Sequence, residues 1–334
     1  VAEQVLYEIG DPAAYAMPDV TCDFRQVVVA AAGENRVRVS GAGGRPPPDS
    51  YKVSATWSDG FRLDALMAIR GIDAAAKAEK TATALLGRTR AMLAARGMAD
   101  YSETLVELLG TEALYGPHAR ARQTREVVLR IAVRHPDKAA LEFLRREVTS
   151  PGTSMGPGTR GHFGGRSEIQ SVVRLCSFLV PKSRITTELD LGGESIALSP
   201  ELPAGDMHPA RAEPLPAVPA DADTGIAVPL VRLAYARSGD KGNSSNIGVI
   251  PRKPAIWPYL VASLTAERVA AHFAHLIEGP VTRYALPRLP ALNFVLQDAL
   301  AGGGVASLRS DPLGKSFAQI LLDLPVRVPS RLLG

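Results

Sequence analysis

The stretch Val127-Val-Leu-Arg-Ile-Ala-Val-Arg-His-Pro-Asp137 decides how the first part of the chain is read. Val127, Leu129, Ile131 and Val133 alternate with Val128, Arg130, Ala132 and Arg134. A period of two sends the two sets to opposite faces of a pleated strand, which predicts a half-buried strand here. His135-Pro136 breaks it, and Asp137 is placed to cap a helix running to about Val148. Upstream, Phe61 to Arg70 reads as a strand followed by Gly71. Asp73 then caps a long helical stretch to Gly97, with Ala82, Leu85, Leu86 and Leu93 on one face and Gly97 as a left-handed stop. Ser102 to Leu109 reads as a further strand. Downstream, a glycine-rich loop leads to another over Ser171 to Phe178. Strand–helix–strand–strand–helix–strand is the order of the split βαβ, or ferredoxin-like, motif.

A second unit is set off by composition. From Ser199 to Pro229 proline and alanine dominate and large apolar residues nearly vanish, which suits an extended, semi-rigid spacer. The expected fold is therefore α+β: a split βαβ body unit in 1–198, a Pro/Ala-rich linker over 199–228, and a small C-terminal α/β module over 229–328. In that module Val231 to Tyr235 reads as a strand. Helices are expected over Ala255–Ser263 and Ala266–Phe273, the latter capped by Thr265, with a strand over Val281–Leu286. Further helices are expected over Leu292–Leu300, stopped by Gly302, and over Gly314–Leu322, ended by Pro325.

With 334 residues, 46% of them hydrophobic, the chain can bury a core in more than one domain. The net charge of +4 contains no block of like charges, so it favours a small anion over nucleic acid. Cys22 and Cys176 are too few for a disulfide framework and suit a reduced, cytoplasmic compartment. No apolar run approaches the roughly 20 residues that span a bilayer, and no signal peptide is visible. The opening at Val1 already reads as structured sequence, so the natural polypeptide is expected to begin earlier.

The richest motif is Arg237-Ser-Gly-Asp-Lys-Gly-Asn-Ser-Ser-Asn-Ile-Gly248. Gly239, Gly242 and Gly248 permit close backbone approach; Ser238, Asn243 and Asn246 add donors; Arg237 and Lys241 add positive charge. Successive amides in such a loop can form a nest for phosphate or carboxylate. From spacing alone, a tight turn with serine caps is the better reading, by about two to one. His162 and Arg166, in Gly161-His-Phe-Gly-Gly-Arg166, are a second anion or proton-transfer candidate beside an exposed-loop reading. Gly156-Pro-Gly-Thr-Arg-Gly161 matches G-x-G-x-x-G but follows a helix where a dinucleotide site follows a strand. Asp19 and Asp23 can supply a general acid/base pair or oxygen ligands for a hard cation, whereas Asp11 reads as a turn residue.

Five stretches together resemble one family: 7–24 (YEIGDPAAYAMPDVTCDF), 36–61 (RVRVSGAGGRPPPDSYKVSATWSDGF), 71–78 (GIDAAAKA), 232–252 (RLAYARSGDKGNSSNIGVIPR) and 279–304 (GPVTRYALPRLPALNFVLQDALAGGG). They are similar to the acyclic terpene utilisation (AtuA) family, with the chain corresponding to its rear two-thirds. The resemblance implies a ferredoxin-like C-terminal domain carrying the Ser-Gly-Asp-Lys-Gly stretch. It implies a place in the degradation of branched terpenoid acids carried as coenzyme A thioesters. It further implies that a glycine- and acid-rich first half is missing here, either carried by a separate chain or removed.

The expected activity is a lyase or hydratase step on a branched acyl-CoA. Such chemistry needs a base near the α-carbon and donors for the thioester oxyanion. Asp240 is the acid/base candidate, with Asp19 or Asp23 as alternative. Lys241, Asn246 and the loop amides are the oxyanion or anion binders. No tightly bound cofactor is expected; the acyl-CoA is the substrate. Partners are a second copy or a subunit supplying the missing half, not nucleic acid or membrane. The alternatives are a non-catalytic assembly or substrate-presenting subunit, and a metal-dependent organic-acid enzyme holding Mg²⁺ or Ca²⁺ near Asp19 and Asp23.

Overall fold

The computed structural model describes residues 1–161, 165–198, 214–222 and 224–333. Along the chain the main elements are α1 (Ala2–Glu8), β1 (Ser50–Arg70), α2 (Ala74–Ala94), β2 (Glu103–Leu109), β3 (Glu126–His135), α3 (Lys138–Glu147) and β4 (Ile169–Pro181). They continue with β5 (Ala234–Lys241), β6 (Ser244–Pro251), α4 (Trp257–Ser263), α5 (Ala266–His272), β7 (Val281–Leu286), β8 (Ala291–Leu296) and α6 (Phe317–Leu321). Two compact units form. One comprises Thr56–Leu175 with Leu300–Pro312; the other comprises Val1–Ala55, Cys176–Ala299 and Leu313–Gly334. Residues on either side of the Pro/Ala-rich stretch thus fold into one unit.

In the first unit the strands lie in the order β4-β1-β3-β2, with β3 antiparallel to both neighbours. This is the split βαβ arrangement that the element order predicts. One face packs on the helices: Leu63, Ala65, Met67, Ile69, Leu129, Ile131 and Val133 bury against Leu85, Leu86, Leu141 and Leu144. Asp137 caps α3, its carboxylate accepting from the Ala139 N–H at 2.8 Å. Asp73, in contrast, sits at the N-cap of α2 with φ 57° and makes no side-chain cap bond.

The half-buried reading of β3 is corrected, because its polar face is buried too. Arg130 and Arg134 are only 7% and 6% exposed. Arg130 is paired with Glu107 and Asp64, and Arg134 with Asp59 and Glu103. Buried guanidinium groups persist only when paired and hydrogen-bonded, and the facing acids on β1 and β2 meet that need. The cover comes from the 300–312 segment. The Leu308 carbonyl accepts from Arg130 at 2.6 Å, and the Ser310 hydroxyl donates to Glu107 at 2.9 Å.

In the second unit the sheet runs β5-β6-β8-β7, every neighbour antiparallel. Phe294, Ile247 and Val249 are buried in it, and Phe273 stacks on Phe317 at 5.4 Å from the helical layer. The expected helix over 292–300 is corrected to strand β8. Ala291-Leu-Asn-Phe-Val-Leu296 lies between β6 and β7 and is buried on both faces. A short apolar run of that kind suits a central strand as well as a helix, and its periodicity does not choose between them. Val231 lies in a 3₁₀ turn, Leu230–Arg232, and the strand begins at Ala234. Pro325 opens the strand Pro325–Val328, paired with Ile226–Pro229. Of the linker, residues 199–213 and 223 lie outside the described residues. Near its end Asp221 accepts from the Tyr259 hydroxyl at 2.7 Å and pairs with Arg331.

Two further two-stranded ribbons have no counterpart among the expected elements: Val28–Gly33 with Arg36–Ser40, and Thr187–Leu191 with Glu194–Leu198. Among the described residues no helix is long and apolar enough to cross a membrane. Cys22 and Cys176 are both free thiols.

Candidate functional site

The Ser-Gly-Asp-Lys-Gly motif is not a cradle. Residues 234–241 and 244–251 are paired strands, with Gly242 (φ 68°) and Asn243 as the turn between them. In a ladder successive N–H groups point to alternate sides, so they do not converge on one anion as a nest requires. The expectation of an amide cradle from Arg237 to Gly248 is corrected accordingly.

What the hairpin does is receive α1. Gly239 and Gly248 lie under it. A Cβ on Gly239 would come within 2.6 Å of the Tyr7 ring and 2.9 Å of Lys315 Nζ. One on Gly248 would come within 2.7 Å of Leu6. Two motifs more than 200 residues apart in sequence, Tyr7-Glu8 and the hairpin, are therefore one structural feature. Buried asparagines fix the chain leaving α1. Asn293 Nδ2 donates to the carbonyls of Ile9 and Gly10 at 2.6 and 2.8 Å, and Asn246 Nδ2 donates to Asn293 Oδ1 at 3.3 Å.

Side chains on this face build a cationic cluster. Arg237, Lys315 and Lys241 stand 4.9, 5.0 and 5.5 Å from the centroid of Tyr7. The negative face of an aromatic ring attracts such cations. Lys241 Nζ pairs with Glu8 at 3.2 Å, and Lys315 Nζ lies 3.8 Å from Asp240. A hydrogen bond from Tyr7 holds the Glu8 carboxyl below its ordinary value, with Lys241 and Lys315 adding to the effect against a smaller opposing cost of burial. Three cations and two carboxylates leave an excess of positive charge beside Tyr7. A cleft of about 400 Å³, lined by Glu3, Tyr235, Arg237 and Ile250 among others, adjoins the cluster at Arg237.

The remaining expected residues are scattered. Ser238, Gly239 and Asn246 are buried. The Ser238 hydroxyl donates to the Gly314 carbonyl at 2.6 Å and accepts from the Ala318 N–H at 2.9 Å, which anchors α6. Asn246 Oδ1 is buried without a hydrogen-bond partner among the described residues. Asn243, on the turn, donates to Asp298 at 2.9 Å. The carboxylates do not form a pair. Asp23 is buried and paired with Arg25 at 2.6 Å; burial alone would raise its carboxyl, but the hydrogen bonds from Arg25 bring it below the ordinary value. Asp19 is exposed in the turn closed by the Met17 N–H to the Val20 carbonyl. His162 lies outside the described residues. Arg166 is exposed and, with Arg145, Arg146 and Thr149, lines a cleft of about 220 Å³. Among the described residues no group of three or more His, Cys, Asp or Glu can hold a metal ion.

Sequence reasoning missed Lys315, which lies 74 positions beyond Lys241 in a stretch with no motif of its own. It also missed two adjoining clefts in the first unit, of about 330 and 460 Å³, that share Ala75, Glu79 and Arg122. Glu112 lines one and Asp73 the other, both at positive φ.

Two family models match the chain. The acyclic terpene utilisation family protein AtuA covers residues 1–191, and the AtuA ferredoxin-like domain covers 228–327. The chain belongs to the acyclic terpene utilisation family. In this AtuA-family chain the first match contains α1 and the second the hairpin, so the cationic cluster is assembled from both. Membership places the protein in acyclic terpene utilisation. No curated protein matches the chain. A solved structure described as a novel heme-binding protein from Thermus thermophilus is 12% identical, covering 85% of this chain and 93% of that one, with a TM-score of 0.21. A likeness that low carries no argument about this AtuA-family protein.

Proposed function

We propose that this chain acts on a branched acyl-CoA thioester in terpenoid-acid degradation, as a lyase or hydratase. The supporting observation is the convergence of Arg237, Lys241 and Lys315 on Tyr7, beside Asp240. A thioester of coenzyme A brings phosphates that an excess of fixed positive charge attracts, and charge-assisted bonds to phosphate are among the stronger ones available. Arg237 and Lys241 hold the anionic part of the substrate in this reading, with Lys315 replacing the amide nest. Asp240 is half-buried, 3.8 Å from Lys315, and serves as the acid/base group at the hairpin tip. The test is isothermal titration with an acyl-CoA together with a turnover assay. Asp240→Asn should keep the affinity and lower kcat by about 100-fold, the lower range for removing a general acid or base. Unchanged turnover in that variant removes Asp240 from the mechanism.

A non-catalytic, substrate-presenting subunit is the second reading, and a specific observation favours it. Ser238, Gly239, Asn246 and Gly248 all have structural tasks in seating α1 and α6. On that reading the chain binds the thioester with no turnover, and Asp240→Asn changes nothing.

A further inference from the structure

The two ribbons noted above stand out because they are nearly bare. In the 28–40 ribbon every residue of both strands except Val29 is exposed, and in the 187–198 ribbon every strand residue except Thr187. A two-stranded ribbon with both faces in water is marginally stable by itself. These two are also apolar on one side. Register places Val37 and Val39 opposite Ala31 and Val29, and Leu189 and Leu191 opposite Ile196 and Glu194, with Leu198 beside them. Val39 is 48% exposed and Leu191 60%. Exposed apolar surface repeated along a ribbon marks a contact site.

The other side of each ribbon carries charge, of opposite sign. Arg36 and Arg38 share a side of the first and form no ion pair among the described residues. That ribbon's single acid, Glu34, lies in its turn. The second ribbon carries Glu188 and Asp190 on one side and Glu194 at its tip, with no cation. Among the described residues Glu188 and Asp190 are tied within the ribbon: Glu188 accepts from the Ser195 hydroxyl at 3.1 Å, and Asp190 accepts from the Gly193 N–H at 2.9 Å. The strands are of matching length, six and five residues against five and five.

The geometry points to a second copy of this chain as the partner of both ribbons. The basic 28–40 ribbon of one copy lies against the acidic 187–198 ribbon of the other. In a two-fold dimer the same contact then occurs twice, because the symmetry makes each surface meet its complement. The ribbons meet edge to edge, through the outer edges of Arg36–Ser40 and Thr187–Leu191. Val37 and Val39 then continue the side of Leu189 and Leu191, while Arg36 and Arg38 stand beside Glu188 and Asp190 on the other side. The charges set register and exclude ribbon-on-like-ribbon pairing.

Charge reversal tests this on the full chain, by sedimentation velocity, with circular dichroism to confirm that each variant is folded. Wild type sediments as a dimer. Arg36→Glu with Arg38→Glu makes both ribbons acidic, and Glu188→Lys with Asp190→Lys makes both basic. Each pair alone raises the dimer dissociation constant at least tenfold. Mixing the two variants restores the dimer, since both contacts are then complementary, and so does combining all four changes in one chain. A monomeric wild type overturns the proposal, as does assembly indifferent to the reversals or a mixture that stays monomeric.

Discussion

Gly239 shows how a motif residue can be explained by space alone. A methyl group there would meet the Tyr7 ring and Lys315 Nζ at distances real side chains do not adopt. Gly239→Ala should therefore force α1 off the sheet and cost about 1–3 kcal/mol, the usual range for overpacking a filled site. The midpoint of urea unfolding reads this; an unchanged midpoint would mean that α1 is not seated as described. Ser238→Ala is a separate case, since its hydroxyl has both a carbonyl and an N–H partner in the interior. Losing it should cost about 1–3 kcal/mol, the penalty for leaving buried polar groups unpaired. The same denaturation curve checks it, and a neutral result would free Ser238 for a role in binding.

At the level of elements, the body was legible because its helices and strands carry clean periods. The 3.6-residue pattern through Leu85 and Leu93 and the alternation through Leu129 and Ile131 both locate the core of the first unit. What alternation could not show was the cover over Arg130 and Arg134, because the 300–312 segment returns from a distant part of the sequence. For the same reason Lys315 was invisible beside the hairpin. The helix expected over 292–300 failed because Ala291-Leu-Asn-Phe-Val-Leu296 is buried on both faces, where tertiary context overrides local propensity. The motif glycines suggested a loop, yet their positions mark close approach by α1, which sequence spacing does not distinguish from approach by a ligand. The ion-pair lattice on β3 gives a prediction of its own. Glu107→Ala strips Arg130 of a buried partner and should destabilise the chain by about 3–5 kcal/mol, the range for breaking a buried pair. A thermal or urea unfolding series measures this, and a loss below about 1 kcal/mol, the range of an exposed pair, would show that water reaches the face.

Across the whole molecule, carboxylates held low by arginines set the acid limit of stability. Hydrogen bonds from Arg174 and then Arg134 hold Asp59 below its ordinary value, and against the cost of burial Arg25 does so for Asp23. A folded-state value lower than the unfolded one means that the unfolded chain takes up protons first as pH falls. The stabilisation is full above about pH 4 and is lost as pH drops through the folded-state values. Asp59→Asn should flatten the acid limb of Tm against pH; an identical limb would show that Asp59 is not so paired. The cationic cluster makes a claim at the same scale, since it joins α1 to a hairpin more than 200 residues away. Titration of an acyl-CoA into wild type and into Arg237→Ala, Lys241→Ala and Lys315→Ala tests that claim most directly. Binding by the wild type should weaken with salt, and each variant should lose about tenfold in affinity, near the ~1.4 kcal/mol expected of one charge-assisted contact. Equal affinity in all four proteins would contradict the assignment, as would a wild type that binds no acyl-CoA.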